Sequence, residues 1–324
     1  LRISVVDRCN FRCPYCMPED EYPEHHRFLD KRERLSFEEI TRLATVFARL
    51  GVRKLRLTGG EPLLRRELPT LVQWLAAVAG IDDLALTTNG VLLPRSAAAL
   101  RAAGLKRLTV SLDSLDPAVF RRLSGGRGEV AEVLAGIAAA EAAGFARLKL
   151  NCVVLRGVND DGVLDLVQRF RGTGHILRFI EYMDVGTLNH WQRGSVVPSA
   201  DLVARIHARW PLQALDRNYR GEVAERYAFD DGGGELGFIS SVSAPFCGDC
   251  SRARISAEGR LYTCLFARDG FDLRTPLRGG ASDAELADLV AARWRLRADR
   301  YSERRAELRA AGVREKVEMF AIGG

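Results

Sequence analysis

The chain has 324 residues, of which 47% are hydrophobic and 28% charged, and its formal net charge is +6. This is ordinary globular composition, with enough apolar material for a sizeable core. No run of about 18 apolar residues occurs, so a membrane span is not expected. The first residues lack the charged-then-apolar pattern of a signal peptide, so a cytoplasmic location is expected.

The positive charge is carried almost entirely by arginine. Only five lysines occur, namely Lys31, Lys54, Lys106, Lys149 and Lys316. Arginine offers a planar fork of donors to phosphate oxygens, so its excess suits a phosphate-bearing ligand. Nucleic-acid binding is the other usual interpretation of a basic chain, and net charge does not choose between them.

The first 185 or so residues alternate predicted strands and helices. The predicted strands are 2–6, 54–58, 84–88, 107–112, 148–155 and 175–182. The clearest helix follows Ser36, where Glu39 completes a capping box and Gly51 supplies the stop. The other predicted helices are about 67–79, 129–143 and 160–171. This alternation predicts a parallel sheet with right-handed crossovers, either a partial open barrel or a doubly wound sheet.

The alternation fades after residue 185. Residues 230–234 (DDGGG) predict a linker. A strand over 236–242, a hairpin across 257–260, two helices and a polar tail are predicted beyond it. The predicted division is therefore 1–230 and 231–324.

Polar and glycine-containing segments coincide with the predicted strand ends. They include GGEP at 59–62, TTNG at 87–90 and SLD at 111–113. Lys149 and Asn151 lie on the fifth strand, and Met183 ends the sixth. Because function gathers at the C-terminal ends of parallel strands, these segments predict one common mouth.

Six of the seven cysteines fall into two groups of three. The odd total and the lack of a secretion signal disfavour a disulfide framework, so the grouping predicts metal binding. Cys152 stands apart in a buried-looking strand and is predicted to fill the core.

The first group is Cys9, Cys13 and Cys16. Three thiolates can hold three irons of a [4Fe–4S] cluster and leave the fourth iron open to a small molecule. A structural zinc site is the alternative, with His25 or His26 close enough in sequence to supply a fourth ligand.

The second group is Cys247, Cys250 and Cys264. A second cluster with an open iron is one interpretation. A zinc site is the other, and it would have to recruit Asp249, another carboxylate or water. Arg252 and Arg254 would share one face of a strand, where two guanidiniums suit an anionic or purine-containing substrate.

The cysteine spacing, with Tyr15 beside the third cysteine, and the GGEP segment resemble the radical S-adenosylmethionine (SAM) enzymes. Within that superfamily the whole chain resembles the GTP 3′,8-cyclase family. The matching segments are DRCN at 7–10, YCMP at 15–18, TGGEPL at 58–63, SLD at 111–113, RFIE at 178–181, FCGDCSRAR at 246–254 and the terminal Gly323 and Gly324.

This resemblance implies a fold, cofactors and site residues. The fold is an α/β partial (β/α)6 radical SAM barrel whose open side is closed by a smaller C-terminal α+β domain. The cofactors are SAM and two [4Fe–4S] clusters, one on each cysteine group. The residues implied to contact SAM are Tyr15, Gly60, Ser111 and Met183. Those implied on the GTP side are Arg2, Lys54, Arg56, Thr87, Lys149, Arg178, Arg252, Ala253 and Arg254. The implied catalytic residues are Arg252, Arg254, Gly323 and Gly324. The two glycines are included because the resemblance implies that the C-terminal tail reaches the active site.

The implied reaction is the first step of molybdenum cofactor biosynthesis. A 5′-deoxyadenosyl radical takes the C3′ hydrogen of GTP, and the C3′ radical adds to guanine C8, giving 3′,8-cyclo-7,8-dihydro-GTP. The implied partners are cyclic pyranopterin monophosphate synthase downstream and flavodoxin or ferredoxin as electron donor. A homodimer remains open, and neither a membrane nor nucleic acid is expected. The competing hypotheses are a radical SAM peptide maturase with an auxiliary cluster and a zinc-stabilised RNA-binding protein.

Overall fold

The computed structural model describes residues 1–312 and 315–323. The strands are β1 Arg2–Ser4, β2 Lys54–Thr58, β3 Asp83–Thr88, β4 Arg107–Ser111, β5 Lys149–Val154, β6 Ile176–Glu181, β7 Leu212–Leu215, β8 Glu225–Phe229, β9 Glu235–Ile239, β10 Arg254–Ile255, β11 Arg260–Tyr262 and β12 Phe271–Asp272. The helices are α1 Phe37–Arg49, α2 Leu68–Ala76, α3 Ala97–Ala102, α4 Pro117–Leu123, α5 Val130–Ala142, α6 Val163–Phe170, α7 Ser199–Arg209, α8 Arg274–Arg278, α9 Asp283–Arg295, α10 Tyr301–Ala310 and α11 Met319–Ile322.

All these strands join one sheet in the order β12-β11-β10-β1-β2-β3-β4-β5-β6-β9-β8-β7. The first six strands are parallel and adjacent in sequence order, which is the arrangement of a partial barrel. A doubly wound sheet would reverse its strand order midway, so that alternative is wrong. The C-terminal part extends the parallel set on both sides, with β10 beside β1 and β9 beside β6.

The two faces of the parallel strands differ in chemistry because side chains alternate along each strand. Leucines, Phe179 and Cys152 occupy one face and are buried in the main hydrophobic core with the helices. The prediction that Cys152 fills the core is therefore confirmed. Polar residues such as Arg56, Thr109 and Asn151 alternate with them and belong to the opposite face.

The capping box predicted for the first helix is present. The Ser36 hydroxyl accepts from the Glu39 N–H at 3.2 Å, and the Glu39 carboxylate accepts from the Ser36 N–H at 2.7 Å. The six predicted barrel strands, the strand before the second cysteine group and the hairpin across 257–260 are also confirmed.

The C-terminal part departs from prediction in two places. Residues 230–234 form a tight turn between the paired strands β8 and β9, so the predicted linker is wrong: the Phe229 N–H donates to the Gly234 carbonyl at 3.1 Å. Four helices, α8 to α11, follow the hairpin where two were predicted. The division into 1–230 and 231–324 stays a proposal. Among the helices of the described residues, none is both long and apolar enough to cross a membrane.

Candidate functional site

One cavity lies at the C-terminal ends of the barrel strands. Each of β2 to β6 contributes to its lining, which includes Thr58, Thr87, Thr88, Ser111, Asn151, Val153 and Ile180. The loops and the tail complete its wall with Cys9, Cys13, Tyr15, Cys16, Gly60, Met183, Met319 and Phe320. The first cysteine group and all four residues implied to contact SAM therefore share one cavity.

The first three cysteines are half-buried free thiols. Burial raises the pKa of Cys9 to about 12 and raises the pKa values of Cys13 and Cys16 as well. A buried thiol becomes a thiolate when a metal supplies the compensating charge, so this donor set fits an iron–sulfur cluster. The chain folds tightly here, with the Cys16 and Met17 N–H groups donating to the Cys13 carbonyl at 2.9 and 2.8 Å.

The loop after β2 is braced against the cysteine loop. A Cβ atom on Gly60 would lie 2.3 Å from the Arg8 carbonyl oxygen, so only glycine fits this close approach. The Gly60 and Glu61 N–H groups donate to the Val6 and Arg8 carbonyls, both at 2.8 Å. Packing against the cysteine loop thus accounts for Gly60 without any ligand contact.

Glu61 ties this loop to the end of β3. Its carboxylate accepts from the Thr88 hydroxyl at 2.7 Å, the Asn89 N–H at 2.8 Å and the Leu63 N–H at 3.0 Å. Burial raises the pKa of Glu61 to about 7, although these hydrogen bonds act in the opposite direction. The GGEP segment, from which only Gly60 was implied as a site residue, therefore also contains a buried carboxylate that holds two strand ends together.

Tyr15 is oriented by Asp113. The Tyr15 hydroxyl donates to one Asp113 carboxylate oxygen at 2.6 Å, and the other accepts from the Val153 N–H at 2.8 Å. Burial raises the pKa of Asp113 to about 6. Asp113 lines the cavity beside Ser111. It is therefore a site residue that the sequence analysis missed, although it ends the SLD segment.

A second cavity adjoins the first. Cys247, Cys250 and Cys264 line it, and Met183 and Leu265 line both cavities. Each cysteine group therefore faces its own cavity, and two shared side chains form the boundary between them.

Two arginines stand beside the second cysteine group. Arg252 and Arg254 both line its cavity, and the Arg252 Nε–H donates to the Cys250 sulfur at 3.2 Å. Burial acts to raise the pKa of Cys250, but the charge of Arg252 and hydrogen bonds from Arg252 and Arg297 lower it to about 7. Cys250 is thus prepared to bind metal as a thiolate.

Two of the residues that the zinc alternatives would recruit, Asp249 and His26, have other partners in the structure. Asp249 forms ion pairs with Arg217 at 3.1 Å and Arg220 at 3.6 Å. The His26 ring stacks edge-on against the Tyr22 and Phe28 rings, each at a centroid distance of 4.8 Å. Within residues 1–312 and 315–323, no three His, Cys, Asp or Glu side chains are arranged to hold a single metal ion.

Arginines from three adjacent strands meet inside the barrel. Arg2 is in register with Arg56 on one side and Arg254 on the other. Burial lowers their pKa values, to about 10 for Arg56 and about 9 for Arg254, and charge from neighbouring arginines adds to the effect. The Arg254 Nε is buried without a hydrogen-bond partner, as is that of Arg178. Such buried, unpaired cations fit a polyanionic ligand.

The remaining implied GTP residues extend away from the mouth. The Arg56 guanidinium donates to the Thr87 and Thr109 hydroxyls at 2.8 and 2.9 Å. Lys54 and Lys149 are the first residues of β2 and β5, at the opposite ends of the strands from the cysteine loops. The prediction that Lys149 faces the common mouth is therefore wrong, and the cations define a path through the barrel.

Ala253 sits differently from its neighbours. Its side chain is buried in the main hydrophobic core, and its carbonyl accepts from the Arg2 N–H at 2.9 Å. The contact available here is backbone pairing between β1 and the segment leading into β10.

The tail returns to the first cavity. Gly323 has a φ of 66°, and a Cβ atom there would lie 1.8 Å from the Thr58 hydroxyl oxygen. Gly323 is therefore next to a cavity-lining residue, as the family resemblance implies. Gly324 lies outside the described residues.

Two family profiles match consecutive parts of the chain. The Radical SAM superfamily profile matches residues 3–170, and the Molybdenum Cofactor Synthesis C profile matches residues 175–303. The first covers more than half of the sequence and contains the first cysteine group. The second contains Cys247, Cys250 and Cys264.

Similar proteins match the chain along its whole length. A GTP 3′,8-cyclase of Xanthomonas axonopodis pv. citri is 62% identical over 324 residues, covering 100% of this chain and 96% of that protein. Proteins of the same name from Acidothermus cellulolyticus and Staphylococcus saprophyticus are 54% and 44% identical, each covering 100% of this chain and 96% of the relative.

Solved structures share the fold at low identity. Streptococcus suis SuiB bound to S-adenosylmethionine superposes with a TM-score of 0.62 at 13% identity, covering 89% of this chain and 66% of that one. Native anSMEcpe with bound AdoMet gives 0.55 at 15%, covering 82% and 73%. These two matches support the partial barrel architecture.

Proposed function

Because the chain belongs to the GTP 3′,8-cyclase family of radical SAM enzymes, we propose roles for its residues in the cyclisation of GTP. The enzyme forms the bond between C3′ and C8 of GTP, which is the first step of molybdenum cofactor biosynthesis. Its cofactors are SAM and two [4Fe–4S] clusters. The arrangement that carries the proposal is the pair of adjoining cavities, each lined by three cysteines.

We assign one cluster to each cysteine group. Cys9, Cys13 and Cys16 hold the cluster that binds SAM, and Cys247, Cys250 and Cys264 hold the cluster beside the guanine. When bound, the first cluster and SAM supply the 5′-deoxyadenosyl radical that abstracts the C3′ hydrogen. Three protein ligands per cluster leave one iron open in each cavity.

The protein's own residues position the reactants. Tyr15, held by Asp113, joins Gly60, Ser111 and Met183 in the wall around SAM. Arg252 and Arg254 lie beside the purine, where they stabilise negative charge and exclude water.

The triphosphate lies along the arginines inside the barrel. Arg2, Arg56 and Arg178 form this path, and Lys54 and Lys149 lie towards its far end. GTP brings about four negative charges, which offset the mutual repulsion of these cations. Thr87 holds Arg56 in place. Gly323 stands at the mouth beside Thr58, and we propose a catalytic role for it and for Gly324.

The electron balance sets two requirements for partners. One electron starts SAM cleavage, and a second electron with a proton completes 3′,8-cyclo-7,8-dihydro-GTP after the C3′ radical has added to C8. A flavodoxin or ferredoxin supplies both electrons in this proposal. Cyclic pyranopterin monophosphate synthase acts on the product in the next step. We propose a homodimer as the oligomeric state to be tested.

The test is anaerobic turnover with GTP deuterated at C3′. Reconstituted protein should contain roughly eight iron atoms per chain, convert GTP to the cyclised product and place deuterium in 5′-deoxyadenosine. Cys152→Ala is the control for loss of a cysteine, and it should leave iron content and turnover unchanged because Cys152 lies in the core outside both cavities. SAM cleavage that a peptide triggers and GTP does not would support a peptide maturase, and colourless protein with bound zinc would contradict both assignments.

A further inference from the structure

A buried carboxylate outside the proposed mechanism connects the barrel to the tail. Asp184 lies three residues after the end of β6 and is 1% exposed. It accepts hydrogen bonds from the Tyr301 hydroxyl at 2.6 Å, the Arg305 Nε at 2.8 Å and the Lys316 Nζ at 2.9 Å, and Arg309 approaches to 3.5 Å. Four side chains from the C-terminal region thus converge on one oxygen pair.

Lys316 is the tail's part of this cluster. Its side chain is buried, and its ammonium group also donates to the Asp184 carbonyl at 2.7 Å. The next residues continue the attachment: the Val317 N–H donates to the Ala267 carbonyl at 2.9 Å, and the Glu318 carboxylate accepts from the Thr187 N–H at 2.7 Å. The tail is therefore anchored through charge and backbone pairing before it turns towards the cavity.

Beyond this anchor the tail covers the first cysteine group. Phe320 packs edge-on against Tyr22 at a centroid distance of 4.9 Å, in a cluster with Met17 against which Cys9 and Cys16 pack. Phe320 and Cys16 also line the same cavity. The tail therefore covers an assigned cluster ligand.

We propose that Asp184 is a positioning residue that docks the C-terminal tail through Lys316, so that Phe320 seals the first iron–sulfur cluster. This inference rests on the proposed function, because it takes Cys16 as a cluster ligand. An ammonium group buried without its carboxylate is strongly unfavourable, so tail docking depends on the pair. Exclusion of solvent tunes iron–sulfur clusters, so docking of the tail also sets the properties of the first cluster.

The test compares Lys316→Met with Lys316→Arg and with Lys31→Met, which removes an exposed lysine. In the reconstituted holoenzyme we expect Lys316→Met to exchange the backbone hydrogens of residues 317–323 at least tenfold faster, measured by mass spectrometry. Lys316→Arg should restore slow exchange, and Lys31→Met should leave it unchanged.

The second measurement is redox titration of the electron paramagnetic resonance signal that SAM perturbs, since only the first cluster binds SAM. Its midpoint potential should become less negative in Lys316→Met, because water that reaches the uncovered cluster stabilises its more negatively charged reduced form. Phe320→Ala, which leaves Asp184 and Lys316 paired, should alter the same signal while Val317 still exchanges slowly.

Unchanged tail exchange in Lys316→Met would overturn the proposed anchor. Faster exchange with an unchanged SAM-sensitive signal, in both Lys316→Met and Phe320→Ala, would overturn the link to the cluster. Neither measurement requires GTP turnover. A wild-type chain that binds SAM but does not cyclise GTP would therefore contradict the proposed function and leave this inference standing.

Discussion

Replacing Arg254 with methionine should stabilise the cluster-free chain while weakening GTP binding. The Arg254 side chain is 2% exposed, its Nε lacks a hydrogen-bond partner, and Arg2 pairs with it in register. Burial, then repulsion from Arg252, lowers its pKa from 12.5 to about 9. At about 1.4 kcal/mol for each tenfold change in proton affinity, keeping this group charged costs of the order of 5 kcal/mol.

The sign of this effect follows from the lowered pKa. The destabilisation is fully present below about pH 9 and disappears as the pH rises towards 12.5, so it acts in full at pH 7.5. Methionine retains most of the apolar volume, and replacing buried charge by apolar groups gains about 1–4 kcal/mol in other proteins. We expect Arg254→Met to raise the free energy of unfolding within that range.

The same substitution removes a charge-assisted contact with the nucleotide. Such contacts contribute about 1.5–3 kcal/mol, so kcat/KM for GTP in the reconstituted enzyme should fall about 10- to 150-fold or more. Urea unfolding of the cluster-free chain gives the first quantity, and anaerobic turnover gives the second. The control is Arg295→Met on α9, where an exposed arginine is removed and both values should change little. If the cluster-free Arg254→Met chain unfolds more easily than wild type, that result refutes the idea that buried Arg254 destabilises the fold and is retained to bind an anionic ligand.

Three further predictions follow from the site. The pKa of Lys149 is lowered to about 7 by burial and then by the charges of Arg178, Arg107 and Arg56. A bound triphosphate should raise this pKa again. GTP binding at pH 8 should therefore be accompanied by uptake of a proton. Calorimetry in two buffers of different ionisation enthalpy detects that uptake, which Lys149→Met should abolish; equal enthalpies for wild type would contradict the assignment. Cys264→Ser should retain SAM binding and lose GTP turnover, and unchanged product formation would refute the role of the second cysteine group. Gly60→Ala places a Cβ 2.3 Å from a backbone oxygen and should lower both iron content and SAM binding, whereas Gly194→Ala, which has open space around it, should not.

The sequence was sufficient where the signals are local or form a recognisable motif. The capping box at Ser36 predicted the first helix, and apolar runs predicted the six barrel strands. The cysteine spacing located both groups. These features depend on neighbours a few residues away, which is the range over which periodicity and turn chemistry operate.

The remainder depends on contacts between distant parts of the chain. The partners of Asp184 are 117 to 132 residues away, and no local motif marks it. Lys149 was grouped with the mouth residues although the predicted strand 148–155 already puts it at the N-terminal end, away from the cysteine loops. The short β10, Arg254–Ile255, has too few residues to show any alternation.

The position of β1 in the sheet has a consequence for how the protein is made. β1 lies between β2 and β10 in the sheet. Because β10 is about 250 residues further along the chain, it leaves the ribosome long after β1. Until then Ile3 lies on an open sheet edge, which is a template for unwanted pairing with other chains. A prematurely terminated chain would keep that edge permanently, so faithful completion of translation protects this enzyme from aggregation as well as supplying its second cysteine group.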